Sequence, residues 1–251
     1  MRPDVSKKLA AAAPKMGPNP IVIGAVVAVV LIVAVVAVIL MANNSKSVSL
    51  NDQAGGSGSA QPAGVTGGDG AGVFVNAATA KSNEPTLDLY EDFQCPTCGA
   101  LEKAMGPTMT SLSNAGEIKF VVHTLSFLDD NLKNDSSKRS ANAVACASDA
   151  GKFLEYHALV FAAQPAQEGA GYTDAQLTQF ASEAGITGAA LTTWQKCTTS
   201  GQHAEYVAAV QDSAGRAGVN STPTVMLNGK NITESLSTPA ALVAQVKAAT
   251  K

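Results

Sequence analysis

The chain has 251 residues, with 17 Lys and Arg against 20 Asp and Glu and a formal charge of −3. Past residue 41 the balance is 13 basic to 19 acidic residues, which argues against a nucleic-acid partner and needs no meaning beyond solubility. Nor can the whole length enter one core, because residues 21–41 form an uncharged, almost wholly aliphatic run.

Residues 1–20 read as a polar, unstructured tail. The run 21–41 would span about 31 Å as a helix, the thickness of a bilayer's hydrocarbon layer. It is longer than the apolar part of a cleaved signal peptide and no clear small-x-small site closes it, so it reads as a retained transmembrane anchor in the lipid bilayer. Arg2, Lys7, Lys8 and Lys15 precede it against one acid, Asp4, and Lys46 is the only base close behind. Positive residues stay inside, which makes the N-terminus cytoplasmic and everything after residue 41 extracytoplasmic. Residues 42–70 are dense in Gly, Ser and Ala and read as a flexible linker with a reach of about 30 Å. The folded domain is expected over 71–251.

Within that domain Val73-Phe74-Val75 is a short strand candidate, and Asn83-Glu84-Pro85 a turn before a strand over 86–93. A helix follows from Cys95, with a kink expected at Gly106-Pro107 and a stop at Asn114-Ala115-Gly116. Residues 118–125 read as a second strong strand, so 86–125 is a βαβ unit with parallel strands. From about 130 to 218 the chain is Ala-rich with polar breaks, enough for four or five helices. That is more than one crossover needs, so it reads as an inserted helical subdomain. Thr173 with Gln176 forms a capping box inside it. Thr224 to Leu227, Asn228-Gly229 and Ile232 read as a hairpin, and Ser237-Thr238-Pro239 opens the last helix.

The chemistry lies at the first strand-to-helix junction. An apolar strand containing Leu87, Leu89 and Tyr90 delivers Cys95-Pro96-Thr97-Cys98 to the first turn of a helix. There the backbone N–H groups are unpaired and the helix dipole is positive, which favours a thiolate on Cys95. Pro96 suits a first turn that needs no N–H from it. Cys98, three residues on, faces the same side and can close a disulfide with Cys95. Cys95 is thus the expected nucleophile and Cys98 the resolving thiol. The competing reading, half of a zinc site, lacks a second close pair of ligands: Cys146 and Cys197 stand alone. No metal and no organic cofactor are expected. His123 and His157 read as packing or surface residues, and Trp194 as core of the insert.

Cys95-Pro96-Thr97-Cys98 at that junction, Thr222-Pro223 before a hairpin, and the helical insert together resemble the thioredoxin superfamily. In particular they resemble its membrane-anchored DsbA-like thiol–disulfide oxidoreductases of Gram-positive bacteria. The resemblance implies an α/β thioredoxin-like fold with an inserted helical subdomain, behind one N-terminal transmembrane helix. It implies that Thr222-Pro223 is a cis-proline pair beside the active site, although an X-Pro bond is trans by default. It also implies that Cys146 and Cys197 form a structural disulfide; the residues alone leave open two buried free thiols. Two departures are visible. The family's buried carboxylate six residues before the first cysteine is here Leu89, with Asp88, Glu91 and Asp92 as neighbours, and Asp92 is the expected replacement. Thr97 stands where the Gram-negative enzyme has His, which points to a milder oxidant.

The expected activity is oxidation of thiols in unfolded exported proteins, with a membrane reoxidase of DsbB or VKOR type implied as partner. Two alternatives are a reductase or isomerase fed by a membrane electron donor, and a non-catalytic anchored module that binds peptides.

Overall fold

The computed structural model describes residues 60–250. The expected tail 1–20, the anchor 21–41 and the first part of the linker lie outside the described residues. No helix among the described residues is long and apolar enough to cross a membrane.

A five-stranded mixed sheet forms the frame. Its strands are β1 (Val73–Phe74), β2 (Thr86–Glu91), β3 (Lys119–Thr124), β4 (Thr224–Leu227) and β5 (Lys230–Asn231), in the order β1-β3-β2-β4-β5. β2 runs parallel to β3, with Leu89 opposite Val122, and antiparallel to β4, with Leu89 opposite Val225. β2 is therefore central, and Leu87 and Leu89 are fully buried. It ends two residues before the expected boundary, because the Cys95 N–H turns back to the Asp92 carbonyl at 2.9 Å and takes Phe93 out of the ladder.

α1 (Pro96–Asn114) links β2 to β3. The helix is continuous through Gly106-Pro107, the place of the expected kink. Pro107 cannot bond the Lys103 carbonyl, but Met105, Met109 and Leu112, on either side of it, are buried and anchor both halves in the core. The helix stops at Gly116, whose φ of +65° favours glycine.

The insert comprises α2 (Leu128–Leu132), α3 (Ser136–Asp149), α4 (Phe153–Ala162), α5 (Asp174–Glu183), α6 (Gly188–Ser200) and α7 (Ala204–Arg216). The Thr173–Gln176 capping box starts α5. Cys146 in α3 and Cys197 in α6 are joined by a disulfide of 1.97 Å. Closing a loop across 51 residues contributes about 4 kcal/mol in the chain-entropy account. Trp194 is buried beside it, with Nε1–H donating to the Ala143 carbonyl at 3.1 Å. Asn228 and Gly229, both at positive φ, turn β4 into β5, and α8 (Pro239–Ala249) is capped by Thr238.

Residues 60–70 depart from the linker reading. The Ala63 N–H donates to Asp149 at 2.8 Å, and the Ser148 hydroxyl donates to the Ala63 carbonyl at 2.6 Å. Val65 bridges Val73, and Gly70 packs so tightly that a Cβ would lie 2.2 Å from the Ala209 carbonyl oxygen. Gly and Ala read as slack in the sequence, but here they permit close backbone approach to the insert.

Candidate active site

Cys95 is the N-cap of α1, with φ −76° and ψ 115°, and Pro96 occupies the first helical turn. The Cys95 carbonyl accepts from the Cys98 and Gly99 N–H groups at 3.1 and 3.2 Å. This wraps the chain so that both sulfurs come together as free thiols. They lie at different depths: Cys95 keeps 7% of its surface, Cys98 none.

That difference separates their acidities. The Cys98 thiol donates to Cys95 and is the largest influence holding the Cys95 thiolate. Burial opposes it, and the Thr222 and Thr97 hydroxyls and the Cys98 N–H add to it, leaving Cys95 at about 5. The start of α1 adds its positive dipole end. Cys98 is driven far above the ordinary thiol range, first by burial, then by Cys95 and by the charge of Glu91. The pair is one thiolate and one thiol.

Thr97 and the Thr222-Pro223 turn close the site from the other side. Thr97 Oγ1 lies 2.9 Å from Cys95 Sγ and 3.3 Å from the Thr222 carbonyl oxygen, which is itself 3.5 Å from the sulfur. The Thr222-Pro223 peptide is cis, and the buried Thr222 hydroxyl has no hydrogen-bond partner other than the nearby thiolate.

Asp92 does not lie beneath the dithiol as expected. Its carboxylate accepts from the Ser137 hydroxyl at 2.6 Å and from the Gln94 and Leu128 N–H groups at 2.9 and 3.3 Å. Asp92 meets Cys98 only through its backbone N–H. Burial raises its pKa to about 6 despite these bonds. The reason is alternation along the chain: where β2 ends, Glu91 and Asp92 turn opposite ways, and Glu91 takes the side of Cys98. Glu91 pairs with the buried His157, whose other ring nitrogen is 4.0 Å from Glu102. Burial pulls His157 down, but Glu91 and Glu102 outweigh it and hold it protonated up to about 9. Burial lifts Glu102 to about 7. His157 is thus the centre of an ionic cluster and not simply packing. His123 is a packing residue, stacked on Tyr90 and paired with Asp88 at 3.1 Å.

Two further residues had no signal in the sequence. Gln164, just beyond α4, donates from Nε2 to both the Phe93 and Cys95 carbonyls at 2.9 Å. The Tyr172 hydroxyl donates to the Phe93 and Val160 carbonyls at 3.3 and 3.0 Å. Both come from the insert and fix the loop that carries Cys95.

The family model for thioredoxin matches residues 80–248. The chain belongs to the thioredoxin family. Among solved thioredoxin-family structures it is similar to the reduced disulfide bond oxidoreductase DsbG of Mycobacterium tuberculosis, at 32% identity over 68% of this chain and 85% of that one, TM-score 0.57. Reduced DsbA from the same organism matches at 31% identity over 68% and 89%, TM-score 0.56. MdbA, a thiol-disulfide oxidoreductase from Corynebacterium diphtheriae, shares the fold at 23% identity over 79% and 97%, TM-score 0.60. No curated protein sequence matches the chain. Within the thioredoxin family the chain is a DsbA-like thiol–disulfide oxidoreductase.

Proposed function

We propose that the chain is an extracytoplasmic dithiol oxidase that introduces disulfides into exported proteins, with Cys95 as the exchanging sulfur and Cys98 as the resolving one. The observation that carries this reading is the split acidity of the pair. An ordinary thiol near 9 that falls to about 5 stabilises the reduced form. Allowing for solvent screening, the gain is about 2 kcal/mol at pH 7, or roughly 40 mV in a two-electron couple. Stabilising the dithiol makes the disulfide the better oxidant.

In the oxidised enzyme a substrate thiolate attacks Cys95 Sγ and the Cys95–Cys98 bond breaks. Cys98 leaves and takes up a proton; Glu91 and the protonated His157 lie on its side of the pair. A second substrate thiolate then attacks the substrate sulfur of the mixed disulfide and expels Cys95. A leaving group with a pKa of about 5 departs readily at neutral pH. The substrate loses two electrons and the enzyme ends as the dithiol, so the cycle requires an electron acceptor, for which a membrane reoxidase of DsbB or VKOR type is the proposed partner. Thr222 and Pro223 border the sulfur, where the backbone of an extended substrate segment can lie against the site.

The proposed location rests on the aliphatic run 21–41, the basic residues before it, and a Cys146–Cys197 disulfide suited to an oxidising compartment. The test is trapping. In cells carrying Cys98→Ala, an oxidase accumulates mixed disulfides between Cys95 and exported proteins. A protein that only binds peptides leaves the trap empty, and a reductase shows a reduction potential near −270 mV, that of thioredoxin.

A further inference from the structure

The ionic cluster under Cys98 is built from three elements: Glu91 on β2, Glu102 on α1 and His157 on α4. One ligand atom from each lies within 4.8 Å of the other two. Glu91 is 1% exposed and His157 3%, while the Glu102 side chain reaches the surface at 11%. Glu91 Oε2 and Glu102 Oε1 are buried without any hydrogen-bond partner. Two carboxylates, Glu91 at Nε2 and Glu102 at Nδ1, face a single imidazole. The rings of Phe93, Phe153 and Phe161 stand 5.6, 5.8 and 5.1 Å from the imidazole and wall it in away from Glu102. Buried oxygens without a partner, gathered at one point, are what a bound cation would satisfy.

We propose that Glu91, Glu102 and His157 form a binding site for one divalent transition-metal cation of the Zn2+ type. Two carboxylate oxygens and an imidazole nitrogen are the donors such ions take, at about 2.0–2.2 Å, with a fourth position open. The imidazole offers one nitrogen to the metal, so the carboxylate now at its other nitrogen must swing round the ring edge to bring the donors to the roughly 3.4 Å separation of a tetrahedral site. Gly106 makes room: a Cβ there would lie 2.5 Å from Glu102 Oε2, so the carboxylate can fold back over the helix. The metal takes both carboxylates ionised and the imidazole neutral, so binding releases whatever protons the cluster holds, and a dication with two carboxylates leaves the core with no net charge. Glu102, at the rim, is the entry side.

The experiment is a Zn2+ titration of the full-length protein carrying Cys95→Ser and Cys98→Ser, so that no thiol competes for the metal. The expected result is one equivalent bound with a dissociation constant below about 1 µM, weakened at least tenfold by Glu102→Gln and by Glu91→Gln. X-ray absorption at the zinc edge should show nitrogen and oxygen neighbours alone. Glu102→Gln lies at the rim and keeps the fold testable if Glu91→Gln does not. In it the rise in unfolding temperature on adding Zn2+ should vanish. No stoichiometric binding at about 100 µM Zn2+, or binding that both variants leave unchanged, overturns the proposal.

Discussion

The molecule holds two pairs of cysteines, and they differ in everything but the element. Cys146 and Cys197 come from the last turns of α3 and α6, far apart in sequence, and are locked among buried side chains. Cys95 and Cys98 are three residues apart at a helix start, with hydroxyls, a carbonyl and a charged cluster arranged around them. A sulfur pair becomes chemistry when its two members sit in unequal surroundings. When both are simply packed, the same bond is a staple.

The sharpest way to break this contrast is to exchange the pairs' fates by mutation. Cys95→Ser should lower oxidation of a model dithiol substrate by at least about a thousandfold, because no other thiol in the chain has the same setting. Replacing Cys146 and Cys197 together with Ala should leave turnover per folded molecule unchanged while lowering stability by about 4 kcal/mol, read as the loss in a denaturant titration. If the second variant loses turnover as the first does, the division between chemistry and staple is wrong.

Asp92 sharpens the contrast at the level of the loop. Its folded pKa is raised from 3.8 to about 6, so the folded state holds the proton more tightly than the unfolded chain. Its contribution is therefore fully present below about pH 4 and is lost as pH rises through about 6, a swing of roughly 3 kcal/mol. Asp92→Asn should flatten the stability–pH curve between pH 4 and 6 and leave the Cys95 titration close to its original midpoint. Thr97→Val carries the smallest effect. Removing one hydroxyl from the thiolate should raise the Cys95 pKa by about one unit and make the disulfide less oxidising by roughly 30 mV, measured against a glutathione couple.

Much of this was legible in the sequence where the cause is local. A strand running into Cys-Pro-x-Cys, Asn-Gly between apolar runs, and Thr with Gln three residues on each depend on neighbours in the chain. Leu89 at the family's usual acidic position was equally readable as a departure. The replacement was not, because choosing between Glu91 and Asp92 depends on which way each side chain turns at the last residue of β2. That is decided by Ser137 and His157, 45 and 66 residues away. Gln164 and Tyr172 were invisible for the same reason: a side chain reaching a backbone carbonyl some 70 residues earlier leaves no periodic mark. Residues 60–70 depart from the linker reading because composition cannot tell a glycine that keeps a chain loose from one, such as Gly70, that lets it pack.

The central claim is tested by titrating the reduced protein's reactive thiol, following thiolate absorbance or the alkylation rate of Cys95 from pH 3 to 10. The account predicts a single thiol ionisation, that of Cys95, with a midpoint at about 5, and no second thiolate below pH 10 from Cys98. A midpoint at about 8.5, that of an unperturbed cysteine, would contradict it.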